Sequence, residues 1–441
     1  MPYFWWPLNG IFFYTFEINS TMNITVLGEA TFDSPIGHPV SDVLRIPEEI
    51  VIDPASEPKK ELTFELAGPR AKLFFDAKHT RAGIVTCGGL CPGLNNVIRS
   101  LFLELHYAYG VKEVLGFRGG YQGLDPKKGK EPIILTHEFV NKIHKEGGTV
   151  LGTSRGPVDI GIAVDHLIER KVNIIFTVGG DGTQRGGNAL FQEARKRGYP
   201  LAVVGVPKTI DNDVAFVTRT FGYLTAVSEA TKVLNSAHNE ACSVENGIAL
   251  VKLMGRHAGF VAAGATVASQ DVNFALLPEL PFKLEGPNGF LAALKERILI
   301  RSHAMVVVAE GAGQDLFSSD EFKKDESGNV KGKDIGLYLK DRIETYFKDE
   351  NIPVVMRYID PSYIIRSSVA NSVDAILCDM YARNAVHAAM AGKTGLVIGY
   401  MHDRFIHVPI DLLTSRKKSM DTDSFQWKAV HASTGQVDQF E

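Results

Sequence analysis

The stretch NIIFTVGGDGTQRGGNALFQEARKRG, residues 173–198, carries the fold in miniature. Its first six residues are almost wholly apolar or β-branched, which suits a strand covered on both faces. Gly179 and Gly180 then turn the chain. Residues 183–197 read as a helix, and Gly198 is placed to cap its C-terminus. The same succession recurs in both directions along the chain. Strands are expected at 83–86, 114–117, 201–206, 248–253, 305–309 and 396–399. Helices are expected at 94–109, stopping at Gly110, and at 371–390, ending before Gly392. Strands alternating with helices predict an α/β fold with mostly parallel sheets and helices on both faces. So many strands exceed one open sheet, so the expectation is two Rossmann-like lobes facing each other across a cleft.

The 441 residues suffice for two or three domains with a sizeable core. Apolar residues make up 45% and charged residues 22%, as in ordinary globular chains. A net charge of −4 argues against a nucleic-acid partner, which needs a concentrated basic surface. No run of 18 apolar residues occurs, so no membrane partner is expected. The four cysteines, Cys87, Cys91, Cys242 and Cys378, are too sparse for a disulfide scaffold and suit a reducing, cytoplasmic location. Cys87 and Cys91 have no Cys/His pair at zinc spacing to complete a metal site and read as small residues beside a tight loop.

Residues 1–80 differ from the rest. Pro35, Pro39, Pro47, Pro54, Pro58 and Pro69 recur among charged residues, so the segment reads as an extension with little regular structure of its own. The apolar start, MPYFWWPLNGIFFYTF, lacks the basic flank and cleavage site of a secretory signal. Two readings stand: an over-extended gene start with Met22 as initiator, or an N-terminal arm. Residues 314–334 are polar and glycine-containing and read as a surface insertion.

Ligands of parallel α/β sheets bind beyond the carboxyl ends of the strands. Four strand-end loops carry chemistry. The first, Gly88-Gly89-Leu90-Cys91-Pro92-Gly93, lets backbone N–H groups approach a phosphate, or is a plain strand-to-helix turn. The second, Gly179-Gly180-Asp181-Gly182-Thr183, admits a phosphate chain, with Asp181 placed to hold Mg²⁺. The third, Pro207-Lys208-Thr209-Ile210-Asp211-Asn212-Asp213, sets two carboxylates beside a hydroxyl and a lysine. A carboxylate there can take the proton of a substrate hydroxyl as phosphate transfers. The fourth, Met254-Gly255-Arg256, offers guanidinium donors to phosphate oxygens.

Together with LGTSRG, AEGAGQD and IDPSYIIR, these loops resemble, in this order, the phosphofructokinase family over residues 81 to about 409. The chain is most similar to the branch holding plant and trypanosomatid ATP-dependent enzymes. The resemblance implies phosphoryl transfer from ATP to the 1-hydroxyl of fructose 6-phosphate, with Mg²⁺ and a homodimeric or homotetrameric assembly. It implies that residues 81–222 with 366–412 form the ATP-binding lobe and that 223–365 with 413–441 form the sugar-binding lobe. By motif, Gly89, Arg155 and Gly156 would contact ATP. Gly180, Asp181, Gly182 and Thr183 would cradle its phosphates, with Asp181 on the metal. Thr209, Ile210 and Asp211 would hold the sugar, and Asp211 would be the base, with Lys208, Thr209 and Arg256 also in the reacting centre. Met254, Gly255, Arg256, Glu310, Tyr363 and Arg366 would complete the sugar site.

Two positions depart from bacterial relatives. Gly247 stands where bacterial tetramers have an arginine that reaches a neighbour's active site, and Lys208 replaces a glycine. Lys208 is also common in pyrophosphate-dependent relatives. Those relatives typically carry a second Asp after the GGD triplet, where this chain has Gly182. An open position there favours ATP, and Gly182 is weighted above Lys208 for that reason. A pyrophosphate-dependent enzyme and a catalytically silent nucleotide-binding subunit are the alternatives. The silent subunit would be expected to lack Asp181 or Asp211. An NAD or lipid kinase would share GGDGT but not the third and fourth loops.

Overall fold

The computed structural model describes residues 20–50, 62–154, 156–317, 323–324, 330–437 and 439–441. The readings of residues 1–19, of Arg155 and of much of the insertion at 314–334 fall outside these. One large mixed sheet and one four-stranded parallel sheet organise the chain. The large sheet is centred on Arg81–Thr86, Ile174–Gly179 and Ala202–Pro207, which pair in parallel. Glu113–Arg118 extends it on one side and Leu396–Met401 on the other, both also parallel. The second sheet runs Phe274–Leu276, His303–Ala309, Gly247–Leu253, Val355–Ile359, every pair parallel.

Register sets where the chemistry lies. Val178 pairs with Thr86 and Gly179 with Pro207, so three strands of the large sheet end level. The loops that begin at Cys87, Gly180 and Lys208 therefore start side by side. Cys87 N–H donates to Val178 O at 3.0 Å and Lys208 N–H to Gly179 O at 3.1 Å, locking the level. In the second sheet Leu253 pairs with Ala309, and Glu310 N–H donates to Leu253 O at 2.8 Å, so the loops at Met254 and Glu310 are likewise adjacent.

Helix Asp181–Lys196 starts at the cleft and packs on the large sheet. Helix Tyr223–Cys242 crosses to the second sheet. Helix Ser372–Met390 returns to the first lobe against Leu94–Leu103, whereas helix Phe425–Thr434 packs on Phe260–Ser269 of the second. Phe440 closes the second lobe's core against Phe274 and Phe290. The helix expected over 94–109 is α-helical to Leu103 and then widens to a π turn at Glu104–Ala108. There the buried Glu104 carboxylate pairs with Arg383 of the neighbouring helix.

Part of the proline-rich segment is built into the large sheet. Leu62–Leu66 pairs antiparallel with Arg404–Pro409, which folds back on Leu396–Met401. A buried ion cluster fixes it there. Glu65 accepts from Arg70 Nη2 at 2.7 Å, from Lys393 Nζ at 2.8 Å and from His407 Nδ1 at 2.9 Å. Gly247 is held too tightly for any side chain, since a Cβ there would lie 2.1 Å from Ala241 O. Among the described residues no helix is long and apolar enough to cross a membrane.

Candidate active site

The strand ends of both sheets face one cleft of about 820 Å³. Its lining gathers Gly89, Gly156, Gly180, Asp181, Gly182, Thr183, Lys208, Thr209, Ile210 and Asp211 from the first lobe, with Met254, Arg256 and Glu310 from the second. Arg366, from the short helix Ser362–Ser367, also reaches it. Gly255 lies between two lining residues, at φ +129°, and a Cβ there would stand 2.5 Å from Ala258 O. Tyr363 is not in this lining. It is 80% exposed and borders a smaller adjoining recess with Gly88, Gly89, Thr153, Ser154 and Arg366, whose guanidinium lies 5.4 Å from its ring centroid.

The glycine-rich loop opens directly into a helix. Gly180 is the N-terminal cap of Asp181–Lys196, so unpaired backbone N–H groups and the helix dipole face the cleft. A Cβ built on Gly182 would meet nothing closer than Arg185 Nη2 at 3.9 Å, so the space above Gly182 is open.

The loop after Pro207 is fixed by its own polar groups. Thr209 Oγ1 accepts from Asp211 N–H at 3.1 Å, and Thr220 Oγ1 donates to Thr209 O at 2.7 Å. Asn212, at φ 55°, turns the chain, and its side chain bonds Thr220 N–H and Thr218 O. Lys208 is buried, and its ammonium donates to Gly89 O at 2.6 Å, tying this loop to the first. Burial pulls its pKa down, with the Arg366 charge adding to that and the neighbouring thiols opposing it. The Cys91 thiol donates to Phe221 O at 3.3 Å, a packing role as expected.

Asp211 Oδ1 is buried without a hydrogen-bond partner among the described residues. Burial, then the charges of Asp213 and Glu310, push its carboxyl up to about 8, against the pull of Arg256 and Arg366. Asp181 is raised too, by burial and by Asp213, with Arg185 and Lys417 opposing. Asp213 thus sits electrostatically between the other two acids. Asp181 and Asp213 offer two carboxylates from adjacent loops, and among the described residues no third His, Cys or acidic ligand closes on them. Such a set suits a hard cation that keeps waters and phosphate oxygens as its other ligands. Glu310 Oε1 stands 4.0 Å from Arg256 Nε.

Several lining residues escape a motif-based reading. Arg185 lies four positions beyond Asp181 on one helix face, a spacing that marks it in hindsight. Asp213 is visible in the third loop, but nothing in sequence ranks it above its neighbours. Tyr121, whose hydroxyl donates to Thr183 O at 2.5 Å, and Lys417, from the chain beyond the last strand of the first lobe, carry no local signal.

The phosphofructokinase family profile matches residues 81–389. The chain is 48% identical over 383 residues to "ATP-dependent 6-phosphofructokinase" of Borreliella burgdorferi, covering 86% of each. It is 44% identical over 393 residues to "ATP-dependent 6-phosphofructokinase 7" of Arabidopsis thaliana, covering 89% of this chain and 80% of the relative. A crystal structure of pyrophosphate-dependent phosphofructokinase from Marinobacter aquaeolei superimposes with a TM-score of 0.67 at 20% identity, covering 82% of this chain and 93% of that one. The last likeness speaks to the fold alone. Two α/β lobes facing a glycine-rich, acid-lined cleft are the architecture of this family, and the chain belongs to the phosphofructokinase family.

Proposed function

We propose that the chain transfers the γ-phosphoryl group of ATP to the 1-hydroxyl of fructose 6-phosphate, giving fructose 1,6-bisphosphate and ADP, a glycolytic step. The observation that carries this is Asp211: a half-buried carboxylate lining the cleft, with one buried and unpartnered oxygen, held in a fixed loop beside the glycine-rich helix start. A general base must face the arriving hydroxyl, which the cleft-lining side of this carboxylate does, and the unpartnered buried oxygen leaves its charge uncompensated and so favours taking up a proton. The loop bonds that hold Thr209, Ile210 and Asp211 place that oxygen without needing substrate to order it.

In this reading Gly180 to Thr183 cradle the phosphate chain, and Gly89, Arg155 and Gly156 contact the rest of the nucleotide. Asp211 takes the proton of the 1-hydroxyl as its oxygen bonds to the γ-phosphorus and the bond to the β–γ bridging oxygen breaks. Arg256, with Met254 and Gly255, and Glu310 orient the sugar. Arg366 and Tyr363 meet the 6-phosphate end. Lys208, at the cleft wall, ties the first loop to the third through its bond to the Gly89 carbonyl. Asp181, with Asp213, would hold Mg²⁺, which when bound offsets charge on the transferring phosphates. The first lobe comprises residues 81–222 with 366–412, joined by Leu62–Leu66, and the second 223–365 with 413–441.

A homodimer or homotetramer is part of the proposal. Tyr363, Ile364, Val373, Ile376 and Met380 are exposed apolar side chains on two successive helices, and Val373, Ile376 and Met380 share a face by spacing. The cytoplasm is the proposed compartment, in keeping with four free cysteines. The test is a product assay: purified chain, ATP and Mg²⁺ offered fructose 6-phosphate, fructose 1-phosphate or glucose 6-phosphate. Fructose 1,6-bisphosphate formed from fructose 6-phosphate is expected. Preference for another acceptor overturns the assignment.

A further inference from the structure

Three ligating side chains converge at the end of the second sheet remote from the cleft. His238 and Cys242 lie four residues apart on helix Tyr223–Cys242 and so share one face. His303 opens the strand His303–Ala309. One donor atom from each lies within 4.8 Å of the others. Cys242 Sγ is 3.2 Å from His238 Nε2, and the two imidazole centroids are 5.6 Å apart.

The second nitrogen of each ring is already engaged. His238 Nδ1 faces Asp271 Oδ2 at 3.5 Å. His303 Nδ1 bonds the Arg301 carbonyl at 3.0 Å, as donor. A carbonyl can only accept, so His303 carries its proton on Nδ1 and its lone pair on Nε2, and the Asp271 carboxylate favours the same tautomer of His238. Metal-ligating histidines are oriented in this way, by a carboxylate or a backbone carbonyl on the far nitrogen. A simple S–H···N hydrogen bond between Cys242 and His238 would account for that pair. It would not account for a second imidazole, also fixed through Nδ1, within reach of the same sulfur.

We propose that His238, Cys242 and His303 form a site for a thiophilic divalent cation of the zinc class, with water as fourth ligand on the exposed Cys242 side. Two imidazoles and one thiolate are ligands of the type zinc takes at about 2.0–2.3 Å in a tetrahedral shell. On binding, the Cys242 S–H bond breaks, its proton goes to solvent, and a sulfur–metal bond forms with no change of oxidation state. The bound ion would clamp the C-terminus of helix Tyr223–Cys242 to the start of a central strand. It would do so far from the chemistry. Strand His303–Ala309 leads from the site to Glu310 in the cleft, and its seven residues span roughly 20 Å.

The other cysteines, Cys87, Cys91 and Cys378, are buried, so a thiolate signal reports on Cys242. The test uses the full chain, reduced and stripped of metal, titrated with Co²⁺ as a coloured probe and then with Zn²⁺. One equivalent of Co²⁺ should give a thiolate-to-cobalt charge-transfer band in the near ultraviolet, and Zn²⁺ should bleach it. Cys242→Ser should abolish the band, and His303→Ala should weaken binding at least about tenfold. Cys242 is exposed, so serine there leaves the fold intact, and turnover of the metal-stripped variant with Mg²⁺ should match wild type. Absence of the band, its persistence in Cys242→Ser, or undiminished affinity in His303→Ala overturns the proposal.

Discussion

At the scale of single residues, the account rests on carboxylates whose charge the cleft makes costly. Asp211→Asn keeps the shape of the side chain and removes the base. It should lower kcat by about 10²–10⁴-fold while changing the KM for fructose 6-phosphate far less. Near-normal turnover would show that another group takes the proton. Because burial and neighbouring acids push Asp211 up to about 8, the ligand-free chain carries it mostly protonated at neutral pH. The base must be ionised, so kcat/KM for the sugar should climb as pH rises toward that value and level off above it. A profile flat across neutrality would contradict this. Asp181→Ala should abolish Mg²⁺-dependent turnover while leaving the unfolding transition near that of wild type, since the carboxylate faces the cleft rather than the core. Full activity at ordinary Mg²⁺ concentrations would remove Asp181 from the metal site. These residues were legible in sequence because each stands in a short loop directly after a buried strand. Asp213, Arg185 and Lys417 were not, because what selects them is their convergence on one volume, which no local pattern encodes.

At the scale of elements, the central strands announce themselves because burial on both faces demands unbroken apolar runs. Edge strands do not. Leu62–Leu66 places Glu65 in the interior, and Arg404–Pro409 does the same with His407, so both break the apolar pattern. What allows this is a partner more than 300 residues away in sequence, the Glu65–His407 contact. Burial alone would raise the pKa of Glu65. The hydrogen bonds and charges of His407 and Lys393 outweigh it and hold the carboxyl well below the usual range. His407 is lowered by burial despite Glu65, and its Nε2 is buried without a partner among the described residues. A depressed acid stabilises the fold above its unfolded pKa of about 4.3, and a depressed histidine does so above about 6.5. Both contributions fall away as pH drops, so the melting temperature should decline from about pH 6.5 downward. Glu65→Gln leaves Arg70 and Lys393 with only the more exposed Asp42 as counter-charge and should cost about 1–3 kcal/mol at neutral pH. It should also remove the loss of stability at about pH 4 while steepening the loss below about pH 6.5, because Glu65 is what holds the His407 pKa up against burial and the two cations. Unchanged stability would mean that the edge strand is not held by this cluster.

At the scale of the whole molecule, two sheets with level strand ends create the cleft, and the choice of phosphate donor belongs to that shared space. The two-lobe arrangement was readable from the alternation of elements. How closely the lobes face each other was not, because it depends on helix Tyr223–Cys242 and on a C-terminus that returns to the second lobe through Phe440. The central claim is that the open volume above Gly182 admits ATP. A Cβ there has Arg185 Nη2, at 3.9 Å, as its nearest neighbour outside the local helix backbone, and an aspartate in the first turn of a helix is well tolerated, so Gly182→Asp should fold normally. Its carboxylate would instead confront the triphosphate, at a cost of a few kcal/mol, on the order of a hundredfold in ATP affinity. The most direct measurement is kcat/KM for ATP and for pyrophosphate, in wild type and Gly182→Asp, at fixed Mg²⁺ and saturating fructose 6-phosphate. Wild type should prefer ATP strongly, and the variant should lose about two orders of magnitude with ATP while gaining or keeping its weak use of pyrophosphate. A wild type that prefers pyrophosphate, or a variant that uses ATP as well as wild type does, would contradict the account.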